Sequence, residues 1–229
     1  GYKLESVPVN HRYLTGEQFA KLTGVELPTY RLCHARDLFV FSTFTGLGRA
    51  DLANLTSENI VTEPDGSRWI HIERQKTKAE CHIKLLDIPS RIIDKYKGEG
   101  KDGKLFFVPA TSSLCRSLKM IEEQCKLGCH LTFYMARHSF ATLICLGNGV
   151  PIETISRMMG HSSIRTTQIY AEITNQKVNR DLLRLADTTK NQYSLPDDKM
   201  TPRVYQCGRY NGWKEEEDKD DNRTSGKAM

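Results

Sequence analysis

Residues 132–171 read TFYMARHSFATLICLGNGVPIETISRMMGHSSIRTTQIYA, and the glycines in this stretch divide it into three short helices. The first is predicted over Phe133 to Leu146, with Thr132 as N-cap and Gly147 or Gly149 closing it. Phe133, Arg137, Phe140 and Ile144 follow steps of four, three and four, so they share one face. Arg137 falls inside that apolar stripe, where a guanidinium needs a partner because stripping its water is costly. The second helix opens at Pro151 and stops at Gly160, with Ile152, Ile155 and Met159 as its apolar face. His161 follows in a Gly-His-Ser-Ser turn. Ser162 or Ser163 then caps a third helix that carries Tyr170 about two turns further on. An arginine, a histidine and a tyrosine thus come from three consecutive helices, a compact cup for an anion. Taken singly, each has an ordinary structural reading: a buried ion pair, a turn histidine and a core aromatic.

Together, ARHSFAT, MGHSS and TTQIYAEI resemble the carboxy-terminal signature of the tyrosine recombinase/phage integrase family, over roughly residues 10 to 187. The resemblance implies a mainly α fold with a small antiparallel β-sheet (α+β), like the catalytic domain of that family. It is expected over residues 15–187, after an amino-terminal tether (1–14) and before a polar tail (188–229). The resemblance further implies DNA strand cleavage through a 3′-phosphotyrosyl bond, with Tyr170 as nucleophile. Arg137 and His161 would stabilise the phosphate, and Lys76, in Arg74-Gln75-Lys76-Thr77-Lys78, would protonate the leaving oxygen. Lys78 is the competitor for that role. Because the covalent link conserves bond energy, no metal, ATP or other cofactor is expected.

Two positions depart from the family pattern. The corner that usually reads Thr-Gly-Leu-Arg is Thr45-Gly46-Leu47-Gly48 here, and Arg49 would point about 100° away on a continuing helix. Arg49 reaching round, another basic residue substituting, and a site working without this contact all stay open; integrases of conjugative elements in gut anaerobes are similar in lacking this arginine. Three residues before Arg137, the family's histidine is Tyr134. A phenol can donate to a phosphate oxygen, but with a pKa of about 10 it is a poor base at neutral pH. His138 is expected to point elsewhere on the helix. Arg49, Lys78, Arg74, His138 and Arg165 make up the candidate DNA-binding set.

Outside these motifs, Thr15 and Gln18 begin a short helix over Gly16 to Leu22, and Tyr30 to Phe44 forms a strongly apolar one. Asn59 to Glu63, a Pro64-Asp65-Gly66 turn and Ser67 to Arg74 read as a hairpin, with Cys81 to Leu86 as a third strand. Pro89 to Lys97 and Thr111 to Leu127 are further helices, with Phe106 and Phe107 a buried segment between them. Thr174 caps a last helix, Asn175 to Ala186. Its line of Val178, Leu182 and Leu185 either packs in cis or docks on a neighbouring protomer, as the resemblance implies for a tetramer on DNA.

The chain has 229 residues, 38% of them hydrophobic, enough for a real core. Its net charge of +5 and pI near 8.8 point to an anionic partner; the resemblance implies that this is double-stranded DNA, with the protein a monomer on its own. The tail from Pro196 is close to charge-balanced, so the surplus lies in the body. No apolar run approaches a membrane span, and seven scattered cysteines fit reduced thiols in a cytosol; the resemblance implies a bacterial cytoplasmic, nucleoid-associated location. Cys125, Cys129 and His130 lack a second ligand pair for zinc. The opening Gly1 and the want of the family's helical clamp domain are expected of the catalytic half of an integrase of a mobile element. A type IB topoisomerase shares the same chemistry, and a non-catalytic DNA-binding module remains the reading from another class.

Overall fold

In a computed structural model of the chain, the structure describes residues 13–75, 77–170 and 175–189, with residues 175–180 described by backbone alone. The centre is a helix buried on nearly every side. Helix α1 (Gly16–Gly24) starts in a complete capping box, Thr15 accepting from Gln18 N while Gln18 returns a bond to Thr15 N. Helix α2 (Tyr30–Thr45) then runs through the middle of the apolar core, with Leu38, Phe39 and Phe41 fully enclosed. A helix hydrophobic all round belongs inside a protein. Its buried hydroxyls solve their own solvation problem: Thr43 and Thr45 donate to carbonyls four residues back, at 3.0 and 2.8 Å. Helices α4 (Asp87–Lys95), α5 (Thr111–Cys125) and α6 (Phe133–Ser139) pack around it. Packing already begins at Leu14, which is fully buried and bonded through its N–H to Ser139 Oγ, 2.9 Å.

Helix α4 starts two residues earlier than predicted, because Pro89 sits in its first turn, where a missing N–H leaves no bond unmade. The expected buried pair Phe106–Phe107 is corrected to one residue. Phe106 is buried against Phe41, whereas Phe107 is 57% exposed.

After the short helix α3 (Arg49–Asn54), three strands form an antiparallel sheet in sequence order: β1 (Ile60–Thr62), β2 (Arg68–Glu73) and β3 (Glu80–Lys84). Alternation sorts their faces as expected. Ile70 pairs with Ile83 and Ile72 with Cys81 toward the core, while Trp69, His71, His82 and Lys84 face out. Lys84 Nζ sits 5.6 Å from the Trp69 ring centroid.

The segment read as one helix over 133–146 changes winding twice. It is α-helical through Ser139, π-helical over Phe140–Cys145 and 3₁₀-helical over Leu146–Asn148, closing at Gly149 in the left-handed region. Helix α7 (Ile152–Met159) ends at Gly160, with φ +63°. Helix α8 (Ile164–Gln168) is capped by Ser163, and Tyr170 follows at once, its N–H bonded to Thr167 O. Phe140, Ala141, Cys145, Ile155, Met159 and Tyr170 form a second, smaller apolar cluster.

The chain divides into two units, Gly1–Asp181 and Leu182–Met229. Helix α9 runs from Asn175 to Thr189, three residues past its expected end, and Leu182, Leu183 and Leu185 on it are exposed. Thr174, the Val178 side chain and the tail from 190 lie outside the described residues.

Candidate active site

The site is assembled at two helix C-termini. The last carbonyls of a helix have no intrahelical N–H to accept from, and the end carries partial negative charge, so arginines are favoured there. Helix α2 stops at Gly46 (φ +67°), whose carbonyl accepts from Arg137 Nη1 at 2.5 Å and from Arg74 Nη1 at 3.3 Å. Helix α7 offers its last two carbonyls in the same way. Met159 O takes Arg137 Nη2 at 2.8 Å, and Met158 O takes Arg74 Nη2 at 3.0 Å. Asp51 completes the corner: one carboxylate oxygen accepts from Arg74 Nη1 at 2.9 Å and from Gly48 N, the other from Gln75 N at 3.1 Å. Burial, and then the neighbouring charge of Arg74, hold the Arg137 guanidinium below its usual pKa.

His161 meets this corner through its ring. Its Nε2 lies 3.0 Å from Arg137 Nη2 and its Nδ1 lies 2.8 Å from Thr167 Oγ1. A guanidinium can only donate, so Nε2 accepts, and the proton of the neutral imidazole sits on Nδ1, donating to Thr167. Burial, then Arg137, then Arg74 push the His161 pKa down to about 4. Tyr170 is 5% exposed, its ring nearly parallel to His161 with centroids 6.2 Å apart. Burial raises the phenol's pKa, and the positive charge of Arg137 opposes part of that rise. Arg137, His161 and Tyr170 are therefore brought together.

The other candidates separate. His138 does not point elsewhere: it is buried, its ring edge 4.8 Å from Tyr170 and 4.4 Å from Tyr134 by centroids, so it offers no exposed surface to DNA. Being four residues after Tyr134, it shares that residue's helical face. Tyr134 itself is 63% exposed at the mouth of the cluster. Arg74, expected among the DNA-binding residues, is 3% exposed inside the corner. Arg49 is held elsewhere, giving Nε and Nη2 to Pro109 O at 3.3 and 2.8 Å. Lys78 lies on the surface in an ion pair with Glu73, and Arg165 is exposed in the first turn of α8. Lys76 lies outside the described residues. Its neighbours are tied to the corner, Gln75 through Asp51 and Thr77 Oγ1 through Gly160 O at 3.2 Å.

Sequence reasoning missed Asp51 and Thr167. The first stands three residues after Gly48, the reach of a helix-start carboxylate to the N-cap N–H. The second gave no signal beyond a hydroxyl near His161.

Beside His161 a cleft of about 780 Å³ opens between the polar face of the sheet and α7, lined by Trp69, His82, Lys84, Glu153 and Arg157 among others. Among the described residues, no group of three or more His, Cys, Asp or Glu side chains could hold a metal ion, and no helix is long and apolar enough to cross a membrane.

Comparison with known proteins gives a consistent picture. The profile of the phage integrase family matches residues 12–177. The tyrosine recombinase XerA of Saccharolobus solfataricus is 28% identical over 149 residues, 65% of this chain and 49% of that protein. XerA of Thermococcus onnurineus is 29% identical over 174 residues, 70% of this chain and 58% of that protein. The chain thus spans about half the length of the curated relatives it matches. Among solved structures, XerA recombinase superposes with a TM-score of 0.60 at 20% identity, covering 76% of this chain and 64% of that one. The Tn1549 transposon integrase in complex with transposon right end DNA gives 0.57 at 19%, covering 80% and 68%. At such identities the likeness is one of fold, and the fold is that of a tyrosine-recombinase catalytic domain.

Proposed function

The chain belongs to the phage integrase family, and on that premise we propose that residues 15–187 form the catalytic domain of a site-specific DNA recombinase. Tyr170 Oη gives up its proton to water at the mouth of the site and attacks a phosphodiester, forming a 3′-phosphotyrosyl bond and releasing a 5′-hydroxyl. The reverse attack by another strand's 5′-hydroxyl rejoins the DNA. Charge builds on the non-bridging oxygens in the transition state, where the Arg137 fork stabilises it. Once a phosphate oxygen takes its place at the Arg137 guanidinium, His161 adds a hydrogen bond by carrying its proton on Nε2, with the Thr167 hydroxyl turning to donate to Nδ1. Lys76 protonates the leaving oxygen, and the exposed Tyr134 hydroxyl donates to the phosphate from the mouth of the site. Arg165 and Lys78 contact the DNA backbone as solvated charges.

One observation carries this reading: Arg137, His161 and Tyr170, from three successive helical segments, meet in a single cluster whose tyrosine is buried. The similarity to the Tn1549 transposon integrase supports a role in integrating or excising a mobile element, and a bacterial cytoplasmic, nucleoid-associated location is part of the same proposal. The XerH neighbour is a complex with its difH substrate. The exposed leucines of α9 support assembly into a tetramer on DNA.

The test is covalent trapping on a nicked suicide duplex, with the modified residue mapped by mass spectrometry. Wild-type protein is expected to form an adduct at Tyr170, and Tyr170→Phe to bind DNA as tightly with no adduct. Arg137→Ala should slow adduct formation by about 100- to 1,000-fold. An adduct on another residue, or DNA binding with no adduct by the wild type, would sink the assignment. Supercoil relaxation without exchange between two sites would move it to a topoisomerase.

A further inference from the structure

Two guanidiniums occupy the corner beside His161, yet they have one carboxylate between them. Arg74 and Arg137 both donate an Nη1 hydrogen to Gly46 O. Asp51 is bonded to Arg74, whereas Arg137 is held by two carbonyls, an imidazole and the Tyr170 phenol, none of them a carboxylate. Carbonyls orient a cation without cancelling its charge. Among the described residues, the corner thus holds one positive charge more than its carboxylate neutralises. Away from water such an excess is costly, and it is relieved when an anion arrives. A phosphodiester carries the one negative charge that closes the balance.

The backbone is shaped to bring Arg74 this close. Gly160 has φ +63°, and a Cβ there would lie 2.9 Å from Arg74 Cγ and 2.6 Å from Cys81 Sγ. The turn that delivers His161 therefore rests on the stem of Arg74. A simple structural ion pair between Arg74 and Asp51 requires neither the second guanidinium nor the shared carbonyl.

We infer that Arg74 is a positioning residue for strand cleavage: it fixes the Gly46 carbonyl that holds the Arg137 fork, and its charge acts on the scissile phosphate without touching it. Asp51 sets how much of that charge is felt. The inference rests on reading the chain as a strand-cleaving enzyme.

The test uses the full chain on two nicked duplexes, one with a phosphodiester and one with a methylphosphonate at the scissile position. The second lacks the negative charge. Arg74→Gln is expected to slow adduct formation about 100-fold on the phosphodiester and less than about tenfold on the methylphosphonate. Arg74→Lys keeps the charge and should be the faster of the two variants on the phosphodiester. Equal losses on both substrates, or a lysine variant no better than glutamine, would mean that Arg74 serves the fold alone.

A second variant keeps the question open to refutation if Arg74→Gln does not fold. Asp51→Asn leaves the arginine in place and raises the charge of the corner. It should bind inorganic phosphate more tightly than wild type by about threefold or more, read by isothermal titration. Unchanged or weaker phosphate binding would overturn the inference. A wild type that forms no adduct on the phosphodiester counts against the proposed function instead, and the phosphate titration then decides on Arg74 by itself.

Discussion

Burial disfavours a charged His161 ring, and protonation would also set a second positive charge 3.0 Å from Arg137, which is why its pKa falls to about 4. In the unfolded chain a histidine titrates near 6.5. Between those values only the unfolded state takes up the proton, so this group removes stability as the pH falls from about 6.5 toward 4 and contributes no slope above that window. An NMR titration of the His161 ring should show a neutral Nδ1–H tautomer in the free protein at pH 6; an imidazolium there would contradict the geometry. Thr167→Val takes away the acceptor for that proton. It is expected to slow strand cleavage about tenfold, the worth of one hydrogen bond, with DNA binding unchanged. The same scale shows where the residue pattern was legible and misread. Arg137, His161 and Tyr170 could be grouped from the motifs that resemble the family's signature. Arg74 could have been placed too: it continues the inward series of Ile70 and Ile72, but counting it among the DNA-binding residues set it outside. Arg49 lies one position past Gly48, and no local pattern indicates that it would turn to Pro109.

Helices and strands were legible because their signals are local: the capping box at Thr15, the alternation of Ile70 and Ile83 with Trp69 and His82, and glycines at 46, 149 and 160. The π-helical turn over Phe140–Cys145 was not, since five-residue hydrogen bonding is a rare outcome that tertiary packing selects. That turn puts the Phe140 ring hard against Gly46, where a Cβ would lie 2.5 Å from the ring's Cδ1. Gly46→Ala therefore meets both a left-handed backbone and a clash. A loss above about 2 kcal/mol is expected, read as a lowered Tm, together with slower cleavage because the carbonyl shared by both arginines must move. A variant that kept wild-type stability would show that the corner tolerates a different path.

At the scale of the whole molecule, the charged cluster that steadies the core is separate from the arginine corner among the described residues. Asp37 is the main polar anchor of the core, accepting from Lys95 at 2.6 Å, Tyr96 at 2.8 Å and Arg36 at 2.9 Å. Burial alone would raise its pKa, but those three donors hold it below the ordinary carboxylate value. A depressed folded value means that the stabilisation is complete above the unfolded value near 3.9 and disappears as the pH falls through the folded one. Asp37→Asn should cost about 3 kcal/mol at pH 7, and urea titrations should show the gap to wild type shrinking at acid pH. Cleavage per folded molecule should not change, because none of these groups reaches the arginine corner.

Gln75 and Thr77 are fastened to Asp51 and Gly160, so the tip of the β2–β3 hairpin is moored on both sides of the position that holds Lys76. A hairpin tied in this manner cannot be retimed independently of the arginines. The moorings are a direct mechanical route between the hairpin and the arginine corner, and adding a single glycine after Thr77 would slacken it and shift the general acid at position 76 along with it.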